Sequence, residues 1–172
     1  MVMDHSASET KLDWAKVNAA IRSPFEGVSR GDGITLHQTA LIDRCGSQRE
    51  LKKAARLDSD RRWQDVRDSD IEAEYSALCF LDAKGFRYYI PAYMTWTLNN
   101  YAVSQSVTSD CTIYAFTHDT EDKDPRFAAL NEPQKRAIAL FLRYFSEVGD
   151  GWADSYMASI ALKFGWDKYL QE

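Results

Sequence analysis

The stretch FLDAKGFRYYIPAYM, residues Phe80 to Met94, decides how the chain is read. It holds five aromatics, one arginine and one proline around a single glycine. Taken at a period of two, Phe86, Tyr88 and Ile90 share one face, and Arg87 and Tyr89 share the other. On that reading ALCFLD, AKG and FRYYIP are strand, tight turn and strand, with Gly85 at positive φ. Arg87 then stacks on an aromatic ring or pairs with Asp82 across the turn. Pro91 cannot continue a strand but suits the first turn of a helix, and Met94, Leu98 and Tyr101 follow at helical spacing. A lone hairpin is marginal, so the β-rich CTIYAF, from Cys111, is expected as a third strand.

Around this centre the pattern is helical. Trp14, Val17 and Ile21 fall on one face of a helix that Ser23-Pro24 ends. Capping boxes at Thr35/Gln38, Ser47/Glu50 and Ser69/Glu72 start three more, and Gly46 stops the first of these. Asn131 with Gln134, and Pro133 in the first turn, open the clearest helix, whose stripe runs Ala137, Ile138, Phe141, Leu142, Phe145 and Val148. A last helix points Ala153, Tyr156, Met157, Ile160 and Phe164 inward. The expected fold is α+β and helix-dominated: five to six helices with a small antiparallel hairpin or three-stranded sheet. Residues 1–10 read as a disordered tail and 11–172 as one domain.

At 172 residues, 45% hydrophobic and 13% aromatic, the chain can bury a substantial core. Its net charge of −5 disfavours nucleic acid, which needs a basic stripe, and suits a basic protein partner. No apolar run is long enough for a membrane span, and the N-terminus lacks the pattern of a signal peptide. Cys45, Cys79 and Cys111 are odd in number and share no CxxC spacing, so reduced thiols and a cytoplasmic location are expected.

Chemistry is sparse. None of GxSxG, GxxxxGK[ST], GxGxxG or HExxH occurs. His5 lies in the tail, and His37 has no Cys or second His at i+3 or i+4. His118 opens an acidic loop in which Asp119, Glu121, Asp122 and Asp124 could hold a hard cation, but the loop lacks the central Gly and terminal Glu of an EF-hand. No catalytic residue, metal or cofactor is therefore expected. The candidate partner contacts are those four acids, the outward hairpin side chains Arg87 and Tyr89, and Trp63. Trp63 sits among three arginines and five aspartates in DSDRRWQDVRDSD and either anchors an interface or turns inward to pin a loop.

FLDAKGFRYYIPAYM also resembles the signature of a bacterial family of uncharacterised proteins, a phrase close to FLDxxGFRFYLPAYM. Tyr88 and Ile90 replace the expected Phe and Leu. The resemblance extends through DSDRRWQDVRDSDIEAEYSALCF and, more loosely, LNEPQKRAIALFLRYF, covering Ile34 to Phe145. Such a family implies no established activity. By size, acidity and lack of motifs, its members are similar to immunity proteins encoded beside bacterial toxins. The expected function is accordingly a non-enzymatic, immunity-type protein that neutralises a cognate, basic toxin by contact, without nucleic acid, membrane or cofactor. An enzyme of unrecognised chemistry and a self-associating structural subunit are the alternatives.

Overall fold

A computed structural model describes residues 13–117, 124–148 and 153–171. Among the described residues every regular element is helical: α1 (Trp14–Arg22), α2 (Leu36–Asp43), α3 (Gln48–Ala54), α4 (Asp68–Ala73), α5 (Ala83–Asn100), α6 (Thr108–Tyr114), α7 (Pro125–Ala128), α8 (Glu132–Val148) and α9 (Ser155–Ala161). Short 3₁₀ turns link several of them, and a π turn (Leu162–Trp166) follows α9. None of these helices is long and apolar enough to cross a membrane.

The hairpin and the sheet are therefore corrected. Phe80 to Met94 is the entry to α5, and CTIYAF forms the end of α6 and the turn after it. Asp82 makes the difference. It is extended (φ −73°, ψ 176°) and caps α5 by accepting from Gly85 N at 2.9 Å. Its Oδ1 also accepts from Ile34 N at 2.9 Å, so it is committed to the cap and the Gly31–Ile34 loop rather than to Arg87. Gly85 is helical, not a positive-φ turn residue. Glycine is required there because a Cβ would lie 2.5 Å from the Ile34 carbonyl.

The aromatic alternation misleads because α5 is buried nearly all round. Twelve of its eighteen residues are buried, including Phe86, Tyr88, Tyr89, Ile90 and Tyr93 on successive faces. A helix covered on all sides loses the one-sided stripe that reveals a helical period. Pro91 lies mid-helix, not in the first turn. It removes the amide that would bond the Arg87 carbonyl, a defect tolerated where packing on every side holds the helix.

The packing is simple. α1 lies across both α5 and α8, α9 packs on α8, and α6 and α7 lean on α5. Where these helices converge, Phe86, Phe116, Phe127, Phe141 and Trp166 form a ring cluster with centroids 5.1 to 6.5 Å apart, mostly edge-on. Trp166 Nε1 donates to the Phe116 carbonyl at 3.1 Å, drawing the C-terminal segment onto the core.

Several local expectations hold. Gln38 Oε1 accepts from Thr35 N at 2.8 Å, Glu50 accepts from Ser47 N at 2.8 Å, and Asn131 and Gln134 satisfy each other's backbone N–H groups. Others do not. Arg67, not Ser69, is the N-cap of α4. The helix α2 ends at a left-handed Cys45 (φ 56°), with Gly46 N bonding back to Leu41 O at 2.7 Å. Along α9 it is Ala158 and Ala161 that are buried, whereas Tyr156 and Phe164 are exposed.

Candidate functional site

The structure gathers a polar cluster where the start of α5 meets the loop before α2 and the segment after α3. Arg30 is its centre. Its Nη1 donates to Tyr89 Oη at 2.6 Å and to Asp60 Oδ2 at 3.2 Å, and its Nη2 donates to the Asp58 carbonyl at 3.3 Å. Tyr88 Oη donates to the same Asp60 oxygen at 2.7 Å. The guanidinium lies 5.5 and 5.8 Å from the rings of Tyr88 and Tyr89, which meet edge-on at 4.9 Å.

Beside Arg30, the side chain of Asp58, only 3% exposed, grips the beginning of α2. It accepts from His37 N at 3.0 Å and lies 2.7 Å from His37 Nδ1. A carboxylate at a helix N-terminus satisfies an orphan amide and favours the helix dipole. The same contact directs the Nδ1 proton of His37 toward Asp58 and leaves Nε2 as the free ring nitrogen. Glu74 stands close enough to feel both groups, and Tyr93 Oη donates to its carbonyl at 2.6 Å. Burial pushes the Glu74 carboxyl above the usual range, against the opposing effect of His37. An open depression of about 530 Å³, lined by Asp58, Asp60, Arg61, Asp65, Arg67 and Asp70, lies alongside.

The titration of this cluster follows from its burial. Burial first, then the contact with Asp60, raises the phenol of Tyr88 far above its ordinary value. Burial, then Asp58 and Asp60, does the same to Tyr89. For Arg30, burial alone would lower the pKa, but Tyr89 and Asp60 outweigh it and the net shift is upward. Arg30 is thus a fixed cation holding neutral phenols and carboxylates together. Within the cluster the His37–Asp58 pair has the form of an acid–base dyad, with His37 N and Nδ1 both directed at Asp58.

Of the residues singled out from the sequence, the described ones, Trp63, Arg87, Tyr89 and Asp124, form no common site. Asp119, Glu121 and Asp122, with His5 and His118, lie outside the described residues. Asp124 is buried at 8% exposure and caps α7. It grips Arg126, whose Nη1 donates to the Leu78 carbonyl at 2.6 Å and whose guanidinium lies 5.3 Å from the Phe86 ring. Burial would raise the Asp124 carboxyl, but the hydrogen bonds and charge of Arg126 hold it below its ordinary range. Tyr89, expected to point outward, is fully buried. Trp63 also turns inward, donating from Nε1 to the Phe25 carbonyl at 3.0 Å. Arg87 is half-buried. The cluster of Arg30, His37, Asp58 and Asp60 was missed because its members come from three separate segments, the loop before α2, the first turn of α2 and the stretch after α3. The available signal was a histidine in the first turn of a capped helix, a position that attracts a carboxylate.

The described residues thus form an all-α fold in which a buried central helix carries a polar cluster at its entrance. The chain belongs to a family of unknown function, DUF6714, whose model matches residues 13–170. Neither the curated proteins nor the solved structures include a match to it.

Proposed function

We propose that the chain is a binding protein of the immunity type, which neutralises a cognate toxin in the cytoplasm by direct protein–protein contact. One observation carries this reading. Among the described residues, five of the eight exposed large apolar side chains are Val103, Val107, Tyr114, Tyr156 and Phe164. All five belong to α6, the loop leading into it and the C-terminal segment that packs beside it. Tyr156 and Phe164 are 71% and 72% exposed. Tyr114 Oη donates to Asp154 Oδ2 at 2.7 Å, and Asp154 in turn caps the helix that carries Tyr156. Exposed aromatics on elements that pack side by side are the usual anchors of an interface.

The net charge of −5 favours a basic partner, whose approach it would accelerate. Contact of this kind needs no cofactor. Three cysteines without disulfide partners suit a reducing compartment.

The test is co-expression with the product of the adjacent gene, followed by titration calorimetry at two ionic strengths. Association should slow as salt rises, and Tyr156→Ala with Phe164→Ala should weaken the complex by about tenfold or more. No complex, or one indifferent to the double substitution, overturns the reading. Self-association by light scattering that disappears in the same double variant would instead make this face a contact between copies.

A second reading is favoured by the His37–Asp58 pair, an acid–base group whose Asp58 lines an open depression. It predicts a hydrolytic or transfer activity that His37→Gln abolishes while the thermal midpoint stays near that of the parent.

A further inference from the structure

A second candidate surface lies on α3. Arg49, Lys52, Lys53 and Arg56 recur at i, i+3, i+4 and i+7, so they stand in one row along the helix and the turn after it. All four are exposed, and among the described residues none forms an ion pair or side-chain hydrogen bond. The one acid of the helix, Glu50, is committed to the cap, accepting from Ser47 N at 2.8 Å and from Ser47 Oγ at 2.6 Å. An open depression of about 960 Å³ runs along this face.

Local stability explains part of the row and not the rest. Cations in the last turn complement the helix dipole, which accounts for Lys52 and Lys53. Arg49 sits in the first turn, where the dipole opposes a positive charge. Arg49 with Lys53, and Lys52 with Arg56, place like charges four residues apart, which repel. Arg49 and the two like-charge spacings thus run against the preference of the helix that carries them. Leu57, 60% exposed, directly follows Arg56 and adds an apolar contact at one end.

We infer that α3 and the turn after it form a docking strip for a short acidic segment of another protein, one that carries an apolar residue for Leu57. The scale and sign of the charges select this occupant. Seven residues of helix span about 10 Å, close to the Debye length of about 8 Å at physiological salt, so the strip senses a compact group of acids. Without these four cations the remaining charge is −5 − 4 = −9. A long polyanion such as nucleic acid, which extends past the strip, would be repelled by the rest of the surface. The Asp58–Asp70 segment of a second copy is a poor fit as well, since Asp58 is engaged on His37, Asp60 on Arg30, Asp65 on Arg62 and Asp70 on Arg67.

The experiment is a fluorescence-anisotropy titration of the full chain with a labelled ten-residue peptide of five glutamates and one leucine. Controls are the same peptide with serine for leucine, and a ten-nucleotide single-stranded DNA at equal ionic strength. The glutamate–leucine peptide should bind saturably and weaken as salt rises. K52E with K53E should reduce its affinity about tenfold or more, and K52Q with K53Q should fall between that and the parent. Lys163→Glu, at an exposed site elsewhere, should leave it unchanged. Loss of the leucine should weaken binding a few-fold. Saturable peptide binding that is indifferent to K52E with K53E overturns the proposal, as does tighter binding of the DNA or an absence of binding at low salt. Far-UV circular dichroism of each variant keeps a folding defect from being read as lost binding. No toxin is present in this assay, so its failure leaves the reading of the α6–α9 face untouched, and the reverse also holds.

Discussion

The helices α5 and α8 are almost equal in length, eighteen and seventeen residues, and both run through the core, yet they are built on opposite plans. α8 keeps one side in water. Glu132, Arg136, Arg143 and Glu147 follow each other at helical spacing, opposite a stripe that includes Ala137, Ile138, Phe141, Leu142 and Phe145. α5 has almost no wet side. Its less buried positions, Lys84, Arg87, Thr95 and Asn99, are interrupted by the buried Pro91. A helix between water and core announces its period in its sequence. A helix surrounded by others does not, and its identity rests on its cap and on what touches it.

Alkali should separate the two plans most completely. Burial first raises the phenols of Tyr88, Tyr89 and Tyr93 on α5. α8 carries one such group, Tyr144, which burial and then Tyr101 push up to about 12. A phenol raised in the folded state favours the protonated form there. Its contribution is present in full below about pH 10, the unfolded value, and is lost as pH rises through the folded value. The α5 phenols should therefore ionise only as the chain unfolds, with the 295 nm absorbance step coinciding with loss of helical circular dichroism. Ionisation of these tyrosines near pH 10 in a chain that keeps its helicity would break the comparison.

Truncation comes next. Tyr89→Ala should destabilise by about 3–5 kcal/mol in urea titration, since it removes a fully buried ring and leaves Arg30 without its 2.6 Å partner. Gly85→Ala should cost about 1–3 kcal/mol. The sign matters more than the size there, because the same change at an open helical site is stabilising by up to about 1 kcal/mol. A stabilising Gly85→Ala would mean that the Ile34 carbonyl is not pressed against α5.

These contrasts explain what could be read from the sequence. The caps at Thr35/Gln38, Ser47/Glu50 and Asn131/Gln134 are local hydrogen bonds between residues three apart, so spacing alone reveals them. The stripe of α8 is equally local. Phe80 to Ile90 fails as a hairpin because β-rich aromatics follow tertiary packing over intrinsic propensity, and the deciding contact joins Asp82 to Ile34, far away in sequence. The polar cluster is hidden for the same reason: Arg30 meets Asp60 and Tyr89 across thirty and fifty-nine residues. Tyr156 and Phe164 illustrate the converse error, since a helical spacing shows that two residues share a side but not whether that side faces water.

The smallest expected effect lies on the wet side of α8. Arg143 Nε donates to Glu147 Oε1 at 3.3 Å, four residues apart, and both side chains are more than a third exposed. Such a pair is screened by water and salt, and holding two long side chains together offsets much of its attraction. Arg143→Ala should therefore change stability by no more than about 0.5 kcal/mol, and less in high salt. If urea titration gave Arg143→Ala a loss similar to that of Tyr89→Ala, the outer side of α8 would have to be covered in solution, and its strip of mixed charge would then count as an interface rather than as the boundary with water.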